Sequence, residues 1–498
     1  MLIGWSSKDV SSTERVTITG QAFERISTGV FDPTTITVLV MDDGKDNVVF
    51  ISGDFTGITT ELIREVKSAV SKKMPEIDTS KIIFNATHTH TAPRYQSLTN
   101  LGYDKAPRDK VDIYPPDKYR AFLVEQVSDA VAEAYKGREE GSFSYGYGSA
   151  AVAIHRRATY FNDRSINNKA NDTFGVNGYA QMYGQTNVED FSGFEGTIDT
   201  KAYMLYTFDK DNKLTGAIIN INCPSQCTEL ETFTSADYWN ETRELIRERH
   251  GNIYILPQCA AAGDQSPHIL HGSAEFNRKN ALKFGDDPKA AQFSRPWEYY
   301  NRKVIAERIA HAFDECLEWA SREKITDAPI SHVTKTVSLD AWKVTEEEYK
   351  TALENYAACK NQEFVCTDDP EADFKENTRI SSNISRYEGV ISRYEAGLTR
   401  RNAEIHVLKI GDIAFASNPF ELYTDYQHRI QARSPFTQTF IIQLASSDVE
   451  SAPGTGYLPT ARAAANKGYS AIMFSCTVSP EGGQELVEET LTVLNEIK

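Results

Sequence analysis

Residues 35–42 and 47–52 are apolar, β-branched runs with an Asp-Asp-Gly turn between them, which reads as two strands and a turn. Ile58, Leu62, Ile63, Val66, Ala69 and Val70 then recur at helical spacing, and Pro75 closes that helix. A short strand from Lys81 to Ala86 follows. The order strand–strand–helix–strand restricts the chain to an α/β fold, with mixed β-sheets layered against helices.

The rest of the chain keeps this pattern. Helices are expected over 117–136, 239–249 and 298–320, with two long ones at 344–359 and 378–399 around a polar insert. Strands are expected within 142–153, 201–222, 253–256, 403–416 and 437–444, and an amphipathic helix from Gln484 ends the chain. No linker or repeat interrupts it, so residues 1–498 are read as a single domain. Two stretches, 91–116 and 157–200, are irregular and long enough to be functional loops. The second carries Tyr160, Phe161, Phe174, Tyr179, Tyr183, Phe191 and Phe194, too many rings for plain disorder.

A formal net charge of −17 argues against nucleic acid as a partner, because phosphate binding needs a basic surface. The first twenty residues show no basic stretch leading into an apolar one, and no segment is apolar enough to span a bilayer. A cytoplasmic protein without an integral membrane segment is therefore expected. The seven cysteines are odd in number and widely spaced, which suits free thiols rather than a disulfide framework. Oligomeric state leaves no mark on the sequence.

The segment with the strongest chemical content is Asn85-Ala86-Thr87-His88-Thr89-His90-Thr91-Ala92-Pro93. Two histidines at i and i+2 at the end of a strand face the same side. Imidazole is a standard zinc donor, and an open catalytic zinc site needs about three protein ligands plus water. There is no GxSxG elbow and no phosphate-binding glycine loop.

This segment resembles the Thr-His-Thr-His-Ser-Gly-Pro motif of the neutral/alkaline non-lysosomal ceramidases. Gly263-Asp264-Gln265-Ser266-Pro267-His268 is similar to that family's Gly-Asp-x-Ser-Pro-Asn segment, and Thr455-Gly456-Tyr457-Leu458-Pro459-Thr460 to the one that carries its zinc-binding tyrosine. His155-Arg156-Arg157, Ser235-Ala236-Asp237-Tyr238 and the C-terminal helix are weaker matches in the same order. The resemblance implies a neutral ceramidase-like catalytic domain without the family's C-terminal immunoglobulin-like domain. It also implies a Zn2+ cofactor held by His88, His90 and Tyr457, with Ser266 beside the metal.

The departures from the family pattern bear on the ligand set. Cys223 stands where the resemblance calls for a third zinc histidine, and Asn418 where it calls for a glutamate. Thiolate plus amide carries the same formal charge as imidazole plus carboxylate, and zinc accepts thiolate readily. The expected ligands are thus His88, His90, Cys223, Asn418 and Tyr457, with Glu421 as a substitute for Asn418. Asp54 and Asp237 are candidates to orient a ligand histidine. Cys223 and Cys227 have no second cysteine pair with which to complete a structural zinc site.

The implied activity is zinc-dependent hydrolysis of an amide (N-acyl) bond. Ser266 either attacks the carbonyl or donates a hydrogen bond to the oxyanion. Arg156 or Arg157 would hold a polar part of the substrate, and His268 and His271 would line the cleft. Two alternatives stay open: hydrolysis of a glycosidic or ester bond on the same fold, and a metal-free binding protein. The insert at 157–200 is rich in Asn, Asp and Gly with few aliphatic residues. That mixture suits a small polar molecule stacked on rings better than a long acyl chain.

Overall fold

The computed structural model describes residues 1–97, 106–107, 110–165, 178–449 and 456–498. Among them, eight strands make the principal sheet: β1 (Leu2–Asp9), β2 (Thr35–Asp42), β3 (Asn47–Gly53), β4 (Ile82–Ala86), β5 (Glu139–Ser149), β6 (Lys201–Asp209), β7 (Leu214–Ile221) and β8 (Tyr254–Cys259). Their order is β8-β7-β6-β5-β1-β2-β3-β4. Neighbours are antiparallel except the outermost pairs, β3/β4 and β7/β8, which are parallel. A helix follows β3 and another follows β7, as parallel neighbours require a crossover. β1 and β5 share only the pairs Leu2↔Glu140 and Ile3↔Glu139, so the two halves of the sheet are hinged at one corner.

A second sheet, β9 (Ile330–Asp340), β10 (Arg400–Ile410), β11 (Ile413–Ser417) and β12 (Gln438–Ile442), stacks on the first. Strand alternation shows how. In β2 and β3, Leu39, Met41, Val48 and Phe50 join Leu408, Ile410, Phe415 and Phe440 of the second sheet in one buried cluster. Their neighbours Val38, Val40, Val49 and Ile51 point the other way, onto helices α1 (Thr60–Lys73) and α2 (Pro116–Lys136). At the other end of the sheet, Ala217, Ile219 and Ile221 meet α3 (Tyr238–His250) and α4 (Pro296–Ala320) in the same way. The outer face of the second sheet packs on α5 (Thr424–Arg433) and α6 (Pro480–Glu496). The layers run helix, sheet, sheet, helix, each strand offering a different face to each side. Truncating one such side chain, Leu39→Ala, costs about 2–5 kcal/mol.

The expected helices and strands are present, with shifted ends. The helix expected over 378–399 spans Pro370–Ala396: the Asp369 side chain caps it, Pro370 takes its first turn, and Gly397 ends it in the left-handed region. β1 is a central strand that hydrophobic alternation does not reveal. Its Gly4 is there because a Cβ at that position would run into the Ala134 carbonyl of α2. The helix Ser273–Phe284 buries only Asn280, so it carries almost no apolar stripe to read. All seven cysteines are free. Among the described residues no helix is long and apolar enough to cross a membrane.

Candidate active site

The carboxyl ends of three parallel strand pairs, β3/β4, β7/β8 and β11/β12, meet at one place. Asn85 of β4 donates its side-chain N–H to the Pro257 carbonyl of β8 (3.2 Å). Gln443, after β12, donates its backbone N–H to Cys259 at the end of β8 (3.0 Å), and Asn418, after β11, donates to Ile442 of β12 (2.9 Å). Side chains in the loops beyond these strand ends converge there, the usual position of a site on parallel strands.

His88 leaves β4 through backbone bonds that extend the parallel ladder: Thr87 N–H to Gly53 O (3.0 Å) and His88 N–H to Phe55 O (2.9 Å). Its φ is +67°, a left-handed conformation that costs a non-glycine residue energy and marks a functional turn. The two histidines therefore converge through this turn and not through strand alternation. His88 Nδ1 lies 2.5 Å from the Thr56 carbonyl, so by hydrogen-bond logic it carries the proton and Nε2 carries the lone pair. His88 Nε2 is 3.3 Å from His90 Nε2 and 3.4 Å from Glu421 Oε2. His90 packs against Gly20, and the Gln226 amide reaches its Nε2 at 2.7 Å. Burial, reinforced by His88 and Arg25, pushes the His90 pKa well below the ordinary value, so its ring stays neutral.

Glu421 arrives on a two-residue strand, Glu421–Leu422, paired in parallel with Tyr457–Leu458, and the register sets Glu421 opposite Tyr457. Burial alone would raise its pKa. His88, Arg156 and a hydrogen bond from Tyr457 outweigh it and hold the carboxyl below its ordinary value. Arg156 Nη2 donates to the Gly263 carbonyl (2.7 Å), sits 3.6 Å from Glu421, and its guanidinium lies 5.1 Å from the Tyr457 ring centre. Ser266 is fully buried on the strand Gln265–Ser266, which pairs with Ile154–His155. Its Oγ accepts the His268 N–H (3.1 Å) and donates to the Tyr183 hydroxyl (3.4 Å). Burial above all, then Glu229, raises the Tyr183 pKa to about 12, so this phenol stays protonated. His268 Nε2 lies 2.8 Å from the Gln226 carbonyl and 3.3 Å from Glu229 Oε1.

The structure thus brings together His88, His90, Arg156, Ser266, His268, Tyr457 and the substitute Glu421. It sends three other expected residues elsewhere. The Cys223 thiol donates to the Val152 carbonyl (3.5 Å) within the core under α3, and burial drives its pKa well above the ordinary thiol value. The chain turns after it, and Gln226, three residues on, is what reaches His90. The Asn418 side chain accepts the Phe420 N–H (3.1 Å), an Asx turn that leads the backbone on to Glu421. Arg157, on the opposite side of its strand from Arg156, forms a buried ion pair with Glu195 (2.6 Å) and donates to the carbonyls of Ala463, Lys467 and Tyr469. Cys227 is likewise a core thiol, with Asn301 3.6 Å away.

Asp54 and Asp237 hold the loops, not the imidazoles. Asp54 takes both terminal nitrogens of Arg243 (2.9 and 3.1 Å) and the Thr87 hydroxyl (3.3 Å), while Asp237 accepts the backbone and hydroxyl of Thr228. His271 is exposed, its ring 5.6 Å from Phe194. Phe174 and Thr455 lie outside the described residues. Of the aromatic insert, Tyr183 reaches the site, whereas Tyr160 braces the insert by donating to the Gln185 carbonyl (3.1 Å). Gln226, Glu229 and Tyr183 were not expected at the site. Tyr183 alone carried a signal, as one ring in an aromatic loop.

Whether these donors suit zinc can be judged from their chemistry. Among the described residues no three His, Cys, Asp or Glu side chains form a finished metal-binding group. His88 Nε2 and His90 Nε2 nevertheless lie 3.3 Å apart, a contact that a proton on His90 Nε2 bridges as a hydrogen bond and that an electrophile between the two could bridge instead. Ligands at about 2.0–2.1 Å in a tetrahedron lie about 3.3–3.4 Å apart, which fits both this edge and the His88–Glu421 edge. The buried Gln226 Oε1 also lacks a hydrogen-bond partner. Turning that amide over would point an oxygen, not an N–H, towards His90.

The sequence matches no family model and no curated protein. Two solved structures share the fold. The neutral ceramidase of Pseudomonas aeruginosa matches over 99% of this chain and 74% of its own, with a TM-score of 0.65 and 16% identity. A ceramidase complexed with C2 matches over 100% of this chain and 75% of its own, with a TM-score of 0.63 and 14% identity. The chain has a neutral ceramidase-like fold.

Proposed function

We propose that this protein is a zinc-dependent hydrolase of an amide (N-acyl) bond in a small, polar substrate. The observation that carries the reading is the convergence of His88 Nε2, His90 Nε2 and the Glu421 carboxylate beside Arg156, Tyr457 and Ser266. The likeness to neutral ceramidase supports it. His88, His90 and Glu421 would hold the metal, with Tyr457 as the adjacent oxygen donor. Bound zinc would supply a Lewis acid that polarises the scissile carbonyl and lowers the pKa of a water towards neutrality.

The protein's own side chains bind and polarise. Arg156 is anchored on Gly263 O, and its charge stabilises the oxygen of the attacked carbonyl. Ser266 is proposed as a hydrogen-bond donor to that oxygen rather than as the nucleophile. Its hydroxyl faces a protonated phenol and a backbone N–H, and neither takes up the proton a nucleophile must lose. Tyr183 and the His268 ring close the polar side of the cleft.

Elemental analysis of the purified protein should find about one zinc per chain. Chelation should abolish hydrolysis of small N-acyl compounds, and added zinc should restore it. Protein without transition metal that hydrolyses amides regardless of chelator would overturn the metal assignment. Rapid turnover of glycosides or esters with none of amides would overturn the bond assignment.

A further inference from the structure

Beside the histidine pair, a carboxylate lies among rings. Glu229 Oε1 lies 3.3 Å from His268 Nε2, and Oε2 lies 3.8 Å from His90 Nδ1. Tyr183 and Trp297 flank His268, with ring centres 5.2 and 5.8 Å from it. Only 15% of the Glu229 side chain is exposed, and among the described residues no lysine or arginine lies within ion-pair distance of it. Arg25, whose guanidinium feels its charge, spends its hydrogen bonds on the carbonyls of Thr19, His90 and Glu231.

A mostly buried carboxylate without a lysine or arginine in direct contact is costly, and aromatic rings beside it attract positive charge as well. We propose that Glu229, with Tyr183, His268 and Trp297, forms a subsite for a substrate ammonium group. The preferred substrate is then an N-acyl compound that carries a protonated amine close to the scissile amide. This rests on the amide hydrolase reading. It assigns Glu229 a role in specificity, distinct from merely steadying His90.

The test compares three acylamides of equal size, ending in 2-aminoethyl, 2-hydroxyethyl and propyl groups. The wild-type enzyme should favour the aminoethyl amide in kcat/KM by roughly 10- to 100-fold over both others, the range of a charge-assisted hydrogen bond. Glu229→Gln should erase that preference, bringing the aminoethyl amide's kcat/KM down to that of the propyl amide measured on the same variant. A fall of all three substrates together would show that Glu229 only positions His90, and equal wild-type rates would leave no ammonium subsite; either result overturns the proposal. Turnover of none of the three speaks against the hydrolase reading instead. Calorimetric binding of the aminoethyl and hydroxyethyl amides then decides the subsite by itself: a preference for the amine lost in Glu229→Gln upholds it, and equal affinities overturn it.

Discussion

Gly20 offers a clean perturbation of the histidine pair. Its φ is +106°, and a Cβ built there would lie 2.5 to 2.7 Å from Cγ, Cβ and Nδ1 of His90. Gly20→Ala therefore has two costs. The backbone conformation costs an L residue about 1–3 kcal/mol, and pressing a methyl group into a filled space costs about 1–3 kcal/mol more unless the ring yields. If the ring yields, His90 Nε2 leaves its 3.3 Å contact with His88, and a displacement of about 1 Å at a reacting centre can cost about 100-fold in rate. Gly44 is the control. It has φ +85° in a turn, and nothing within 4 Å of its would-be Cβ, so Gly44→Ala should pay the backbone cost alone. Denaturant unfolding, zinc content and kcat/KM on an N-acyl substrate, measured on both variants, separate the terms. Gly44→Ala should lose about 1–3 kcal/mol and keep its zinc and activity, while Gly20→Ala should lose zinc and most activity. A Gly20→Ala protein with wild-type zinc and kcat/KM would refute the claim that His90 must stand where it does.

Three other outcomes follow from buried groups. Arg157→Ala should destabilise the protein by about 3–5 kcal/mol in denaturant unfolding, because it strands Glu195 without its cation; a loss below about 1 kcal/mol would mean that water reaches the pair. Cys223→Ala should keep its zinc and activity and lose about 1–2 kcal/mol, as a core thiol does; loss of metal would restore it to the ligand set. Glu298 is fully buried, and its pKa is pushed up to about 8 by burial first, with Arg295 opposing and Glu231 adding to the rise. Folding therefore favours its protonated form, so its contribution falls as pH rises from about 4.5 to about 8, by up to a few kcal/mol, and is flat above that. Glu298→Gln should flatten this part of the stability–pH curve, and an unchanged slope would show that the carboxyl titrates normally.

The layered fold was legible because strand alternation is a local signal. Each residue of β2 and β3 declares its face through its neighbour two positions away, and a helix between strands leaves few ways to stack them. β1 escaped because its Gly4 answers to the Ala134 carbonyl of α2, a contact that no window of adjacent residues contains. The same divide separates the site residues. His88 with His90, Ser266 with His268, and Tyr457 lie in short motifs legible as strings of residues, although the backbone of each pairs with a distant segment. Gln226 and Glu229 lie in a loop whose path depends on Ser225 donating to the distant Thr87 and on Thr228 bonding Asp237 nine residues on, pairings that no short motif contains.

That Cys223 and Asn418 point away from the histidine pair follows from one assumption, that residues at equivalent sequence positions occupy equivalent space. After β7 the backbone stays in the core through Cys223 and turns at Pro224, where Gln226 N–H bonds the Pro224 carbonyl (2.9 Å), so the side chain three positions on enters the cleft. At Asn418 the Asx turn delays the chain by the same three positions and delivers Glu421. Charge balance, which had favoured a Cys223 thiolate, is met by another route. Burial keeps that thiol neutral, while Glu421 stays ionised against His88 and Arg156. The neutral His90 ring and the Glu421 carboxylate then stand together beside His88. For the proposed zinc site, charge is a property of the set and could be weighed from the sequence, whereas position is a property of the loop and could not.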